Sequence, residues 1–322
     1  MGNRPGTALE VGMAGTAQAG AGAGQATAAG HCIVCGASVL ESHLRVAGDA
    51  GGDGLIPTTD RFGTALADIV RCSACGHMQL ARFPGEAELA EAYSEAESHD
   101  YVEEEAGQRA TAREALAAIE RHAGPGAILD LGCWVGFLLA EAETRGWAAT
   151  GIEPSEFASG YARERLGLEV LTEGLFEAAL PAGAFDAVVL GDVIEHLPDP
   201  GAALDRIATL LAPAGVLRMA LPDAGSRLAR TMGRRWWSVI PTHVQYFTRD
   251  SIALLLERHG WEVLEMGTAP KAFTVRYYLE RIGGYSEPVA RALVRTAEAA
   301  RMADRIWAPD FRDRMAVIAR PH

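Results

Sequence analysis

Cysteine, glycine, acidic and histidine residues stand in this chain at spacings that could do chemistry. Cys32-Ile33-Val34-Cys35-Gly36 and Cys72-Ser73-Ala74-Cys75-Gly76 are two CxxC pairs, each followed by glycine. At that spacing two tight turns aim four thiolates at one tetrahedral metal. Cys32, Cys35, Cys72 and Cys75 are therefore the expected ligands of a structural zinc ion, with iron as the alternative metal. His31 and His77 flank the cysteines, but four thiols already complete the shell. A second pattern runs Ile128-Leu129-Asp130-Leu131-Gly132-Cys133-Trp134-Val135-Gly136-Phe137: an apolar run, an acid, a glycine turn and the apolar start of a helix. A buried parallel strand delivers its chain to a nucleotide-like ligand in this way. At the end of the next apolar run, about twenty residues on, Glu153 can accept hydrogen bonds from both hydroxyls of a ribose. Leu175 and Phe176, in the loop Gly174-Leu175-Phe176-Glu177, can sandwich an adenine. His196 and His243 suit proton transfer, because an unperturbed imidazole titrates near neutral pH.

These residues need a sheet to hold them, and the pattern around them supplies one. Apolar runs at 128–131, 147–152, 168–171, 185–190, 216–221 and 261–266 read as strands alternating with helices, which is the signature of an α/β, doubly wound sheet. Gly146, Gly167 and Gly260 close helices, while Asp199-Pro200 and Thr248 open them. Ahead of this domain, strand-like pieces at 39–46 and 67–71 around a glycine-rich loop at 49–54 make residues 31–83 a zinc ribbon. Residues 1–30, poor in large apolar groups, are expected to form a disordered tail. Residues 84–123 form a helical connector, with Leu89 and Tyr93 four apart and Ala112, Ala115, Leu116 and Ile119 on one face; Tyr93 and Tyr101 are candidates to cover the cleft. Residues 124–322 are the main domain, carrying a helical insertion at 270–312.

Composition narrows the partners. A formal net charge of -13 opposes a polyanion, and the arginines are not clustered, so nucleic acid is not expected to bind. With 49% apolar residues but no uninterrupted membrane-length run, and no basic segment leading into an apolar one, no membrane association is expected and a cytoplasmic location is. Lys271 is the single lysine beside abundant arginine, a bias typical of a GC-rich bacterial gene.

Taken in order, Asp130-Leu131-Gly132-Cys133-x-x-Gly136, Gly151-Ile152-Glu153-Pro154, Phe185-Asp186-Ala187-Val188, Asp192-Val193-Ile194-Glu195-His196-Leu197 and Leu211-Ala212-Pro213-Ala214-Gly215 resemble the class I S-adenosylmethionine-dependent methyltransferases over roughly 127–266. The preceding ribbon is similar to that of bacterial sugar and natural-product methyltransferases with an N-terminal zinc module. The resemblance implies a seven-stranded Rossmann-like sheet whose last strand, at 315–319, is antiparallel. It also implies S-adenosylmethionine held by Asp130, Gly132, Cys133, Gly136, Glu153, Pro154, Leu175, Phe176, Asp192 and Val193. Trp134 departs from the family, which usually has glycine there; an indole must point away from the ligand or cover its methionine end.

The implied activity is methyl transfer to a small-molecule acceptor, at a hydroxyl of a natural product or activated sugar, with nitrogen or carbon as alternative acceptor atoms. A hydroxyl needs help to lose its proton, and His243, in a segment resembling the family's His-x-x-Tyr-Phe, leads His196 as the base. Glu195 with His196 could instead serve a divalent metal, as in some related methyltransferases. Arg234, Arg235, Trp236 and Trp237 are candidates for an acceptor wall or for packing, and Phe273, Tyr277 and Tyr278 for a lid or a homodimer interface. An alternative of another class is a zinc-ribbon binding protein on a catalytically silent methyltransferase fold.

Overall fold

The computed structural model describes residues 27–48, 62–85 and 102–322. The expected tail up to residue 26, the glycine-rich loop at 49–54, and Leu89, Tyr93 and Tyr101 lie outside the described residues. The main sheet has seven strands: β6 (Ala127–Leu131), β7 (Ala148–Ile152), β8 (Glu169–Leu171), β9 (Phe185–Gly191), β10 (Leu211–Pro222), β12 (Trp261–Thr268) and β15 (Arg314–Pro321). Their order is β12-β15-β10-β9-β6-β7-β8. β6 to β10 pair in parallel, whereas β15 inserts antiparallel to both β10 and β12. This is the α/β, Rossmann-like class with an antiparallel final strand.

The first helix, α1 (Glu105–Ile119), buries Ala112, Ala115, Leu116 and Ile119, the face expected from their spacing. Leu116 and Ile119 pack with Ile128, Val189, Val216 and Ile318 on one face of the sheet. Behind the sheet's glycine turn comes α2 (Phe137–Thr144), followed by α3 (Glu156–Leu166), which is capped by Ser155 and closed by left-handed Gly167. α4 (Pro200–Leu210) starts at the Asp199 cap with proline in its first turn. After a short α5 (Arg227–Met232), α6 (Arg249–Arg258) opens with a reciprocal Thr248–Ser251 capping box. The insertion holds α7 (Val275–Arg281) and α8 (Gly283–Ala299), bracketed by the paired strands β13 (Phe273–Thr274) and β14 (Ile306–Trp307). Glu104 ties it to α1 by accepting the Thr274 amide at 2.7 Å and its hydroxyl at 2.6 Å.

The ribbon contributes β2 (Leu40–Leu44), β3 (Ile69–Cys72) and β4 (Met78–Leu80); a small pair, β1 (Thr27–Ala28) with β5 (Arg82–Phe83), lies beside them. Its sheet does not end at the expected boundary. β11 (Gln245–Tyr246), from the main domain, pairs antiparallel with β4 and gives a four-stranded order β11-β4-β3-β2. β10 also begins earlier than its apolar run implied, at Leu211, with a register break before Val216.

Gly136 shows how tightly the glycine turn is built. Its φ is 84°, and a Cβ there would come within 2.5 Å of Leu168 Cδ1 and 3.1 Å of Ala162 Cβ. Gly136→Ala should therefore lose about 2–3 kcal/mol of unfolding free energy, combining left-handed strain with overpacking, read from urea midpoints at constant m-value.

Candidate functional site

The carboxyl ends of the parallel strands open into a cavity of about 2200 Å³. Asp130, Gly132, Cys133, Glu153, Pro154, Leu175, Phe176, Asp192, Val193, His196 and His243 all line it. Such a position, beyond the carboxyl ends of an open α/β sheet, is where this architecture binds ligands. Of the expected cofactor residues, only Gly136 is withdrawn from the cavity, beneath the turn.

Backbone hydrogen bonds fix the turn. Gly132 and Cys133 both donate to the Ile152 carbonyl, at 2.8 and 3.1 Å. Gly132 has φ 70°, and a Cβ on it would come within 2.7 Å of Val193 Cγ2, so the bare backbone lets β6 and β9 approach each other. Glu153 is 5% exposed and works as a brace: one oxygen accepts the Trp134 amide, the other the Ser155 amide, each at 2.9 Å. Burial pushes its carboxyl pKa up, and these two amides pull it back. Trp134 adopts φ 49°, a left-handed conformation that favours glycine, and its ring lies 6.4 Å from Phe157, within a cluster of Val135, Phe137 and Ala158. The Cys133 side chain packs into the core under α1, where burial raises its thiol pKa well above the usual value.

At the end of β9, Asp192 (φ 59°) forms ion pairs with Lys271 at 2.6 Å and Arg314 at 2.5 Å. Those two cations hold its carboxyl well below the usual range against the opposing effect of burial. The chain's single lysine, which composition explained as codon bias, thus sits in the cleft; nothing local in the sequence ties it to Asp192, because Asp192 stands on the far side of β10, α6 and β12 in the chain.

The next turn, Ile194–His196, brings the two histidines together. His196 donates from Nδ1 to the Thr242 carbonyl at 2.9 Å, and His243 from Nδ1 to the Ser238 carbonyl at 2.8 Å; a carbonyl can only accept, so each ring keeps its lone pair on Nε2. The rings meet edge to face at 4.6 Å. Glu195 lies beside them, 2% exposed, with neither carboxylate oxygen hydrogen-bonded and Oε1 4.0 Å from His243 Nε2. Desolvation, then the charge of Asp192, pushes the Glu195 pKa up to about 8. Desolvation holds His196 down to about 4 and His243 well below its usual value. One donor atom from each of Glu195, His196 and His243 falls within a single 4.8 Å cluster, and so do the Sγ atoms of Cys32, Cys35, Cys72 and Cys75. The sulfur contacts Cys32–Cys75 and Cys35–Cys72 are 3.5 and 3.6 Å. His77 is buried and faces Gln245 at 2.9 Å, so it stands outside the thiol cluster.

Gln245 is the residue that pattern reading missed. It faces His77, two positions after Cys75, and its amide donates to the carbonyls of Leu197 and Pro198 beside His196, at 3.3 Å each. Of Arg234, Arg235, Trp236 and Trp237, only Trp237 lines the cavity; Trp236 is buried and donates to Asp313. Phe273, Tyr277 and Tyr278 of the insertion line it from the opposite side.

The methyltransferase-domain family profile matches residues 102–266, just over half of the chain, and the chain belongs to that family. Curated relatives include the ubiquinone biosynthesis O-methyltransferases of Stutzerimonas stutzeri, 35% identical over 94 residues (27% of this chain, 40% of that one), and Caulobacter sp. strain K31, 36% identical over 107 residues (29% and 39%). The chain thus spans about two fifths of the length of the curated relatives it matches. Solved structures similar to it include an Archaeoglobus fulgidus SAM-dependent methyltransferase (18% identity, 69% of this chain, 99% of that one, TM-score 0.47). Another is the Burkholderia thailandensis 1,6-didemethyltoxoflavin-N1-methyltransferase with bound S-adenosylhomocysteine (18%, 69%, 81%, 0.45). Among the described residues no helix is long and apolar enough to cross a membrane.

Asp130 gives the site a pH signature. Burial, then the charge of Glu153, raises its pKa from 3.8 to about 8, with Arg218 opposing. Between those values the folded state binds more protons than the unfolded one. The contribution to stability is complete below pH 3.8 and is lost as pH rises through 8. Asp130→Asn should flatten the fall in unfolding free energy between pH 6 and 9; an unchanged slope would show that Asp130 is ionised throughout.

Proposed function

We propose that this enzyme methylates a hydroxyl of a small molecule, with His243 as the base that takes the hydroxyl proton. The carrying observation is that His243 and His196, both with lone pairs on Nε2, line the same cavity as the braced glycine turn. The curated relatives are O-methyltransferases, which supports oxygen as the acceptor atom. The acceptor classes expected from the sequence, a natural product or an activated sugar, remain part of this proposal.

The residues present fit S-adenosylmethionine, whose sulfonium supplies the methyl group. Gly132 offers bare backbone to the cavity at a place where a Cβ would strike Val193, and Glu153 holds Trp134 and Ser155 in position while keeping further lone pairs for ribose hydroxyls. Leu175 and Phe176 would flank the adenine, with Asp192 and Val193 beside the methionine portion. Trp134, turned toward Phe157, completes the wall without closing the turn. Where Glu195 ionises, above about pH 8, its carboxylate 4.0 Å away favours proton uptake by His243 by stabilising the imidazolium that forms. His243→Ala should lower turnover by about 10²- to 10⁴-fold while leaving S-adenosylhomocysteine affinity within a factor of about two. A loss of less than about tenfold would remove His243 as an important base.

A second reading rests on the two unpaired oxygens of buried Glu195: with His196 and His243 they form a donor set for a divalent cation, each histidine oriented by its Nδ1 bond to a carbonyl. Turnover that disappears on dialysis against chelator and returns with magnesium or manganese alone would select this reading over direct base catalysis.

We also propose zinc at the four thiols, in a structural role. Sulfur contacts near 3.5 Å suit a tetrahedron with metal–sulfur bonds of about 2.3 Å. Because β4 carries β11, stripping the metal should raise amide hydrogen exchange in peptides covering 243–247 as well as in the ribbon, read by mass spectrometry. Exchange confined to the ribbon would show that the two sheets are not coupled.

A further inference from the structure

The register of the main sheet places a row of small residues across its carboxyl end. Gly191 pairs with Ala220, Ala220 with Ala316, and Ala316 with Gly267, and all four line the cavity. Registered neighbours project to the same face of a sheet, so these four leave a shallow floor. One step deeper on that face the row reads Asp130, Val189, Arg218, Ile318 and Glu265. Arg314, two residues from Ala316 along β15, stands on the same face at the opposite side of the floor.

Arg218 is anomalous there. It is 8% exposed and lines the cavity, its Nε has no hydrogen-bond partner, and no carboxylate lies within ion-pairing distance of it among the described residues. The acids that reach it electrostatically are Asp130, Asp192 and Glu265. Glu265 is already held by Arg121 at 2.6 Å and His122 at 3.1 Å, and Asp192 by Lys271 and Arg314. Asp130, with its pKa near 8, keeps its proton at neutral pH. Arg314 repels Arg218, and burial and that repulsion together lower the Arg218 pKa to about 10, so it remains charged. An uncompensated buried guanidinium is costly, and proteins keep such groups paired unless a ligand supplies the partner.

We propose that Arg218 is a receptor for a carboxylate that enters the cavity with a ligand and lies on the Gly191–Ala220–Ala316–Gly267 floor. The planar fork of a guanidinium matches a carboxylate in two parallel hydrogen bonds. Two sources carry this chemistry: the methionine carboxylate of the cofactor and an acid group on the acceptor. The assignment rests on the methyltransferase reading only for the first source, because the second can be read without cofactor.

The test compares matched pairs by calorimetry on the full chain, wild type against Arg218→Met and Arg218→Lys. S-adenosylmethionine against its decarboxylated analogue reads the cofactor source; benzoate against benzyl alcohol, with and without saturating S-adenosylhomocysteine, reads the acceptor source. Wild type should prefer the carboxylate member of one pair by at least about tenfold, the worth of a charge-assisted hydrogen bond. Arg218→Met should erase that preference and Arg218→Lys restore part of it. The pair that responds names the source. Equal affinities within both pairs in wild type, or a preference that survives in Arg218→Met with an unchanged unfolding midpoint, overturns the proposal. Absence of any adenosyl-ligand binding would instead count against the cofactor site, while the benzoate comparison still decides Arg218.

Discussion

The pairing of β11 with β4 is the constraint on which the geometry of the site depends. Buried backbone groups must find partners, and in the segment 243–247 those partners come from two modules. The Leu80 amide of the ribbon donates to the Val244 carbonyl at 3.1 Å, while the Val244 amide donates to the Glu195 backbone carbonyl at 3.0 Å. His243 is thus held between the thiol-bearing ribbon and the turn that ends β9. Gln245 repeats the clamp with its side chain, facing His77 on one side and the Leu197 and Pro198 carbonyls on the other. The thiol-bearing module is thereby tied, backbone to backbone, to the loop carrying the candidate base.

The other half of the cavity is organised by a different device. Glu153 spends one lone pair of each oxygen on a loop amide, so the residue expected to meet a ribose also sets the shape of the glycine turn. This double duty accommodates Trp134. A tryptophan at φ 49° is strained by about 1–2 kcal/mol, but the Glu153 bond to its amide holds the backbone in the conformation a glycine would take, and the indole finds apolar neighbours around Phe157. The departure from the family pattern is absorbed locally and leaves the other expected residues in place.

What the sequence made legible follows from how local the signals are. Strands β6 to β10, their caps and their glycine stops are encoded within a few residues of themselves, and they appear within a residue or two of expectation, except at the start of β10. The cluster of four thiols was equally readable, because CxxC spacing is a geometric statement. The shared sheet of ribbon and main domain was not: Gln245 and Tyr246 are two residues with no periodicity, and their partners lie more than 160 positions away. The same holds for the cavity floor. Gly191, Ala220, Gly267 and Ala316 are unremarkable in their own strands, and only the insertion of β15 between β10 and β12 sets them side by side.

That register also distributes charge through the cavity in a way no single segment reveals. At the end of β9 the groups are held in their uncharged forms: the histidines are pushed down by burial, and Glu195 is pushed up by burial and by Asp192. Across the floor stand Arg218, Arg314 and Lys271, with Asp192 paired to the last two. One cavity thus has a side of proton-accepting histidines and a cationic side, and an anchor at one end of a cavity fixes the distance of a group held at the other. Lys271 and Arg314 come from the insertion and from the last strand, so the cationic side is complete only once residues from 271 onward are in place. The cationic side of the cavity is therefore assembled last in the sequence and by the least local contacts, whereas the glycine turn and the residues expected to meet a cofactor lie almost entirely between Ala127 and Val193.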